Sequence, residues 1–165
     1  MSRPESGVDP SDFEVGGGYV YFKYFKTVIE IHRIPTSDGP TERVTVPVDT
    51  ETIGDIAVSS DGSFVVYAST NLVAAAPASG GDAQAIAGIS AYAVVADAAF
   101  AYYFHAVNSA QECEAGTHVY RVPLSGGDSV MIGTVDAGCI KTPVQDSESL
   151  YFIANQGHEI QRVYK

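Results

Sequence analysis

Short apolar runs broken by glycine and aspartate make up most of this chain, and no stretch sustains the 3.6-residue period of an amphipathic helix. In VYRVPLSGGD, Val119 to Asp128, residues Val119, Arg121 and Pro123 fall on one side of an extended strand, with Tyr120 and Val122 on the other. Ser125-Gly126-Gly127-Asp128 then reads as a turn, because glycine takes positive φ without steric cost. VAAAPASGGD, Val73 to Asp82, repeats the strand and turn in register. Ile31-His32-Arg33-Ile34-Pro35 with Ser37-Asp38-Gly39 is an earlier copy, and Ile160-Gln161-Arg162-Val163 a later one.

The aligned aliphatic positions Ile34, Ala76, Val122 and Val163 are spaced by 42, 46 and 41 residues. An aromatic-rich strand precedes each copy: Val20-Tyr21-Phe22, Val65-Val66-Tyr67, Tyr102-Tyr103-Phe104 and Leu150-Tyr151-Phe152. Self-similarity at about 40–50 residues with only strand signals predicts an all-β, β-propeller-like fold of about four blade units, a partial ring or part of a larger one.

The units are expected at about 11–48, 49–88, 89–134 and 135–165, after a disordered lead at 1–10. Unit one takes Phe13–Val15, Tyr19–Phe22, Ile31–Pro35 and Glu42–Val46, with Lys23–Glu30 either extending strands or looping between them. Unit two takes Ile53–Ser59, Phe64–Ala68, Asn71–Pro77 and Ala83–Ala87. Unit three takes Ala91–Val95, Phe100–His105, Val119–Leu124 and Ser129–Ile132. Unit four offers only Ile140–Val144, Ser149–Ala154 and Glu159–Tyr164, so its last strand is expected to be an open edge that further blades or a second copy would cover.

Composition narrows the partners. With 9 basic against 20 acidic residues the net charge is −11, which argues against nucleic acid and anionic membrane surfaces. No apolar run approaches the ~20 residues of a membrane-spanning helix, and residues 1–10 lack the apolar segment of a signal peptide.

LYFIANQGHEIQRV, Leu150 to Val163, together with VYRVPLSGGD, resembles the bacterial β-propeller repeats related to YWTD- and NHL-type blades. The resemblance covers most of residues 13–165, and departs where Tyr151-Phe152 stands for the Tyr-Trp of the pattern and Ile153-Ala154-Asn155 replaces its aspartate. It implies a propeller of six or more blades, an exported or surface location, periplasmic or extracellular, and a partner-binding role. A cytoplasmic location stays open.

In a four-stranded blade the first-to-second and third-to-fourth turns lie on one face of the ring. Here these are short. The second-to-third loops and blade crossings lie on the other face and are longer: Ala106–Thr117, Asn155–His158, Val46–Thr52 and Thr134–Gly138. Rigid scaffolds carry recognition on variable loops, so this face is the expected binding face. Its candidate binding residues are Asp49, Glu51, Glu112, Glu114, Asp136 and His158, an acidic set suited to cationic groups; the alternative is a solvated acidic rim. Cys113 and Cys139 fall on this same face, and a disulfide between them would contribute roughly 3–4 kcal/mol and imply an oxidising compartment. Glu14, Asp55, Tyr92 and Lys141 sit on or beside the inner strands and are candidates to line the channel.

No cofactor is implied, and His105, Glu112, Cys113, Glu114 and His118 match no zinc-ligand spacing. Arg33, Arg121 and Arg162 share one register, which predicts stems packed between blades and guanidinium groups tied to carbonyls or carboxylates. The leading functional expectation is a non-enzymatic binding module for a protein, peptide or glycan. A lactonase-like hydrolase or lyase at the channel mouth, and a structural half-ring that self-associates, are the alternatives.

Overall fold

The structure, a computed structural model, describes residues 7–25, 27–45, 47–48, 52–106, 116–135, 140–154 and 159–165. The first sheet holds β1 (Gly7–Gly16), β2 (Tyr19–Phe25), β3 (Ile29–Pro35) and β4 (Glu42–Thr45), paired antiparallel in sequence order. The second holds β5 (Ile53–Val58), β6 (Phe64–Ser69), β7 (Val73–Pro77) and β8 (Gln84–Ala87). The third holds β9 (Ala93–Ala96), β10 (Phe100–Ala106), β11 (Thr117–Pro123) and β12 (Val130–Val135). The fourth holds β13 (Lys141–Gln145), β14 (Ser149–Ala154) and β15 (Glu159–Tyr164), leaving β15 at its edge.

Two expectations need adjusting. β1 begins at Gly7, where Gly7 and Val8 pair with Phe25 and Tyr24, so strand pairing reaches into the stretch expected to be a disordered lead. The partner strand makes this possible: Lys23–Phe25 extend β2, while Ile29 and Glu30 open β3. The third aromatic landmark is one residue early. Val20, Val65, Ala101 and Leu150 pair with Ile34, Ala76, Val122 and Val163, so the equivalent of Val20-Tyr21-Phe22 is Ala101-Tyr102-Tyr103. A one-residue slip moves every side chain to the opposite face, so the correction decides which aromatics meet which neighbour.

The four sheets stand face to face, and the core is three separate layers between them. Call the side of a sheet that meets the next sheet its forward face, and the other its rear face. Tyr21 and Ile31 of the first sheet's forward face pack on Val65, Tyr67 and Ala74 of the second sheet's rear face. Val66, Ala68, Val73 and Ala75 pack on Ala101, Tyr103 and Val122 of the third. Phe104 and Val119 pack on Leu150 and Phe152 of the fourth, with Phe104 and Phe152 edge to face at 5.9 Å. Strands of the second sheet are therefore apolar on both faces, as buried strands must be. Alanine at 68, 74, 75 and 76 lets that sheet sit close to its neighbours.

Inner strands β1, β5, β9 and β13 contact one another in succession, which wraps the sheets around an axis. At the outer ends of the β1–β2 and β5–β6 hairpins the turns touch. A Cβ on Gly62 would lie 2.7 Å from the Gly17 backbone, and both residues have positive φ, so glycine is required there twice over. Each following first-to-second turn is held by an aspartate. Asp97 accepts from the Ala99 and Phe100 N–H groups, and the Tyr102 hydroxyl donates to it at 2.7 Å. Asp146 repeats this with Glu148, Ser149 and the Tyr151 hydroxyl at 2.9 Å. In the second sheet the donors to Asp61 are the Ser59 and Ser63 hydroxyls and the Ser63 N–H.

Candidate functional site

The first strand of each sheet contributes one wall of an axial cavity of about 1130 Å³. Its lining includes Phe13 and Glu14 from β1, Gly54–Val58 from β5, Tyr92–Ala96 at β9, and Ile140, Pro143, Val144 and Gln145 at β13. Three of the four channel candidates, Glu14, Asp55 and Tyr92, thus line one space. Lys141 starts β13, opposite Ile153, and its side chain lies outside the described set.

Two of these polar groups are committed to holding the walls. Asp55 accepts the Val94 N–H at 2.9 Å and the Ile56 N–H at 3.0 Å, tying β5 to β9. The Tyr92 hydroxyl meets Thr117 Oγ1 at 2.8 Å and accepts from the Ile140 N–H at 3.4 Å, tying the second-to-third crossing to the fourth sheet. Burial pushes the Tyr92 phenol up, beyond what those two hydrogen bonds offset, so it stays protonated as a donor. Glu14 is exposed. Most of the remaining wall is Gly, Ala, Val and Ile, so the channel is a weakly polar space braced by its own carboxylate and phenol.

A second cleft, of about 320 Å³, opens between the second and third sheets on the loop-rich face. It shares Gly54 and Tyr92 with the axial cavity, so the two spaces meet at one end of the channel. Thr52, Thr70 and Ser90 from the loops, Ser69 at the end of β6 and His105 near the end of β10 surround a floor of Ile53, Ala91 and Ala106. Thr52 and Thr70 share a hydrogen bond of 2.9 Å across it. His105 Nδ1 lies 2.7 Å from the Ser90 carbonyl, which can only accept, so neutral His105 carries its proton on Nδ1 and presents Nε2 as an acceptor. Behind this cleft the buried Lys23 donates from Nζ to the Ile53 and Gly54 carbonyls at 3.1 and 3.4 Å, fixing the first residues of β5.

The candidate binding residues Asp49, Glu51, Glu112, Glu114, Asp136 and His158 lie outside the described residues, as do Cys113 and Cys139. The hydroxyls of the cleft were not singled out from sequence. Threonine and serine at strand ends are ordinary turn residues, and only the approach of two sheets gathers them. His105 was considered there, but grouped with Cys113 and His118. In the structure it pairs across the strands with His118 and turns its Nδ1 to Ser90. Of the three arginines that share a register, Arg33 shows the expected ties to a carboxylate and a carbonyl, while Arg121 lies over the Phe100 ring and Arg162 over the Tyr164 ring. Arg33 grips Glu42 through Nε and Nη2 at 2.9 and 2.7 Å, lies over the Tyr19 ring, and donates from Nη1 to the Ala78 carbonyl of the following sheet at 2.5 Å.

No family model matches the chain, and no curated protein sequence does. Solved structures do. A nidogen/laminin complex superposes on 98% of this chain with a TM-score of 0.74 at 12% identity, the match taking in 62% of that chain. A putative TolB from Agrobacterium tumefaciens superposes on 92% with a TM-score of 0.66 at 14% identity and 56% of its own length. The WD40 beta propeller domain of Doa1 superposes on 98% with a TM-score of 0.52 at 7% identity. This chain therefore spans about three fifths of the first of these. At such identities the likeness concerns architecture alone. Four consecutive antiparallel sheets, stacked face to face with their first strands around an axis, have the β-propeller fold.

Proposed function

We propose that this chain is a non-enzymatic propeller module, related to YWTD- and NHL-type repeats and exported, that engages a protein, peptide or glycan on its loop-rich face. The observation that carries the reading is the cleft between the second and third sheets, where hydroxyls of Thr52, Thr70 and Ser90 and the His105 imidazole stand over an apolar floor at the mouth of the channel. A concave site with an apolar base and a few convergent polar groups suits an uncharged polar ligand, such as a sugar ring or a peptide backbone. Hydroxyl and imidazole groups match such a ligand because they both donate and accept without the desolvation cost of a charge.

Glu112, Glu114 and Asp136 belong by sequence to the loops of the same face, and an acidic set there would favour basic groups flanking the bound segment. A protein partner has a precedent in the fold, since one superposable structure is a nidogen/laminin complex. Enzymatic readings draw less support: of the two carboxylates lining the channel, Asp55 is spent on backbone N–H groups, and the Tyr92 hydroxyl is spent on Thr117 and Ile140.

Glycan and peptide arrays probed with labelled protein test this directly. Ligands that bind wild-type protein should lose at least about tenfold in affinity with Thr70→Arg or Ser90→Arg, which fill the cleft, and a smaller factor with Glu112→Lys/Glu114→Lys/Asp136→Lys. Hits whose affinity ignores the cleft substitutions would move the site elsewhere.

A further inference from the structure

The third-to-fourth turns of the first three sheets follow one plan. Each third strand ends at a proline, Pro35, Pro77 or Pro123, and the chain reverses through two residues of positive φ, three and four positions later. The first of these has a φ of 104° at Gly80 and 84° at Gly126, and the second 148° at Gly81 and 134° at Gly127. In the first sheet the second residue is Gly39, at 156°, but the first is Asp38, held at 130°. Asp38 is the one non-glycine residue of positive φ among the described residues, in a backbone region that L side chains rarely adopt. Its exposed side chain folds onto its own turn, where the Gly39 N–H donates to Asp38 Oδ1 at 2.9 Å. A Cβ added to Gly39 would lie 2.8 Å from Pro35 Cγ, so the turn closes tightly over that proline.

The chain has a second Asp-Gly pair in a tight turn, Asp61-Gly62, and it is built the opposite way. The Asp61 carboxylate accepts the Ser59 and Ser63 hydroxyls, both at 2.7 Å, and the Ser63 N–H at 3.1 Å. The Gly62 N–H is committed elsewhere, donating to the Ser59 carbonyl at 2.8 Å. Hydrogen bonds from Ser59 and Ser63 hold the Asp61 carboxyl below the usual carboxylate range, so it stays ionised and resists attack by a nucleophile.

We propose that Asp38 is a site of spontaneous covalent modification, at which its bond to Gly39 isomerises from aspartyl to isoaspartyl. The Gly39 nitrogen attacks Cγ of the protonated Asp38 carboxyl. The N–Cγ bond forms, and the N–H proton leaves with the carboxyl hydroxyl as water. A second water then opens the five-membered imide. Cleavage at the Asp38 α-carbonyl routes the main chain through Cβ and Cγ and frees the α-carboxylate, whereas cleavage at Cγ restores aspartate. Nitrogen and carboxyl already touch in this turn, and glycine places no side chain beside the nitrogen. The isoaspartyl product has one more methylene in its main chain, which releases the turn from the positive φ that Asp38 holds.

The two Asp-Gly pairs of the wild-type chain provide the test. The folded protein is incubated at about 37 °C and about pH 5, near the ordinary aspartate range, then digested and mapped by electron-transfer mass spectrometry, which distinguishes isoaspartate from aspartate. Isoaspartate should accumulate at least about tenfold faster at Asp38 than at Asp61, with a transient species one water lighter at Asp38. In concentrated guanidinium chloride the two rates should converge, since both pairs are then unfolded Asp-Gly sequences. Equal rates at the two sites in the folded chain overturn the proposal, as does faster reaction at Asp61. So does a ratio that survives unfolding, which would assign the difference to flanking sequence instead of the turn.

Discussion

The third and fourth sheets are copies of one unit, and residue for residue their central strands carry similar side chains: Ala101-Tyr102-Tyr103-Phe104 against Leu150-Tyr151-Phe152-Ile153. In the third, all four side chains are buried. In the fourth, Leu150 and Phe152 are buried while Ile153 is 37% exposed and Tyr151 is partly exposed. The strands do not differ in pattern; the third has a neighbour on each side and the fourth has one. Burial in a stacked-sheet protein is a property of place in the stack, and an apolar side chain at an end of the stack reports a missing neighbour.

Matched substitutions break or sharpen that comparison. Phe104→Ala empties a fully buried site between the third and fourth sheets and should cost about 3–5 kcal/mol in urea denaturation. Its counterpart Ile153→Ala should cost under about 1 kcal/mol, because no sheet of this chain covers its side. Equal losses at the two positions would mean that the open face is packed within a single chain.

Gly62→Ala should destabilise by roughly 1–3 kcal/mol, since the new Cβ meets the Gly17 backbone and the residue keeps a positive φ. Glycine 126, at a third-to-fourth turn of the third sheet, shares the positive φ but has no backbone within 4 Å of an added Cβ. Gly126→Ala should therefore cost less, only the conformational part.

The turn aspartates give the smallest effects and a pH signature. Burial raises the Asp97 carboxyl, but hydrogen bonds from the Ala99 N–H, the Tyr102 hydroxyl and the Phe100 N–H outweigh it and hold it below the usual carboxylate range. A carboxyl depressed in the folded state adds stability above its unfolded value, near pH 4, and loses it as pH falls through the lower folded value. Asp97→Ala should cost about 1 kcal/mol at pH 7 and flatten the acid limb of the stability profile. Asp146 is depressed by the Glu148 N–H, the Tyr151 hydroxyl and the Ser149 N–H, but it stands in solvent, so Asp146→Ala should flatten that limb less. A steeper loss with Asp146→Ala would reverse the ranking of the two sheets.

Much of this was legible in the chain. Strand after strand falls where alternation, Gly-Gly turns and the 41–46-residue spacing place it, because those signals are local and each reflects one backbone preference. The one-residue error at Tyr102-Tyr103-Phe104 has an equally physical cause. With apolar or aromatic side chains on both faces, a buried strand gives alternation no sign, and only its pairing with Val119–Pro123 fixes the register. The turn aspartates were legible and were missed: Asp97 and Asp146 each stand five residues before the tyrosine they bind. The cleft was not legible, since Thr52, Thr70, Ser90 and His105 belong to separate loops and strand ends.

What the sequence by itself determined is three four-strand modules, a three-strand fourth and their turns, since strand propensity and glycine's conformational freedom act over a few residues. Which face of each module is covered, which polar groups meet at the channel mouth, and which two faces stay open were decided only by stacking. Those outcomes depend on contacts between residues some forty positions apart, and no local preference encodes them.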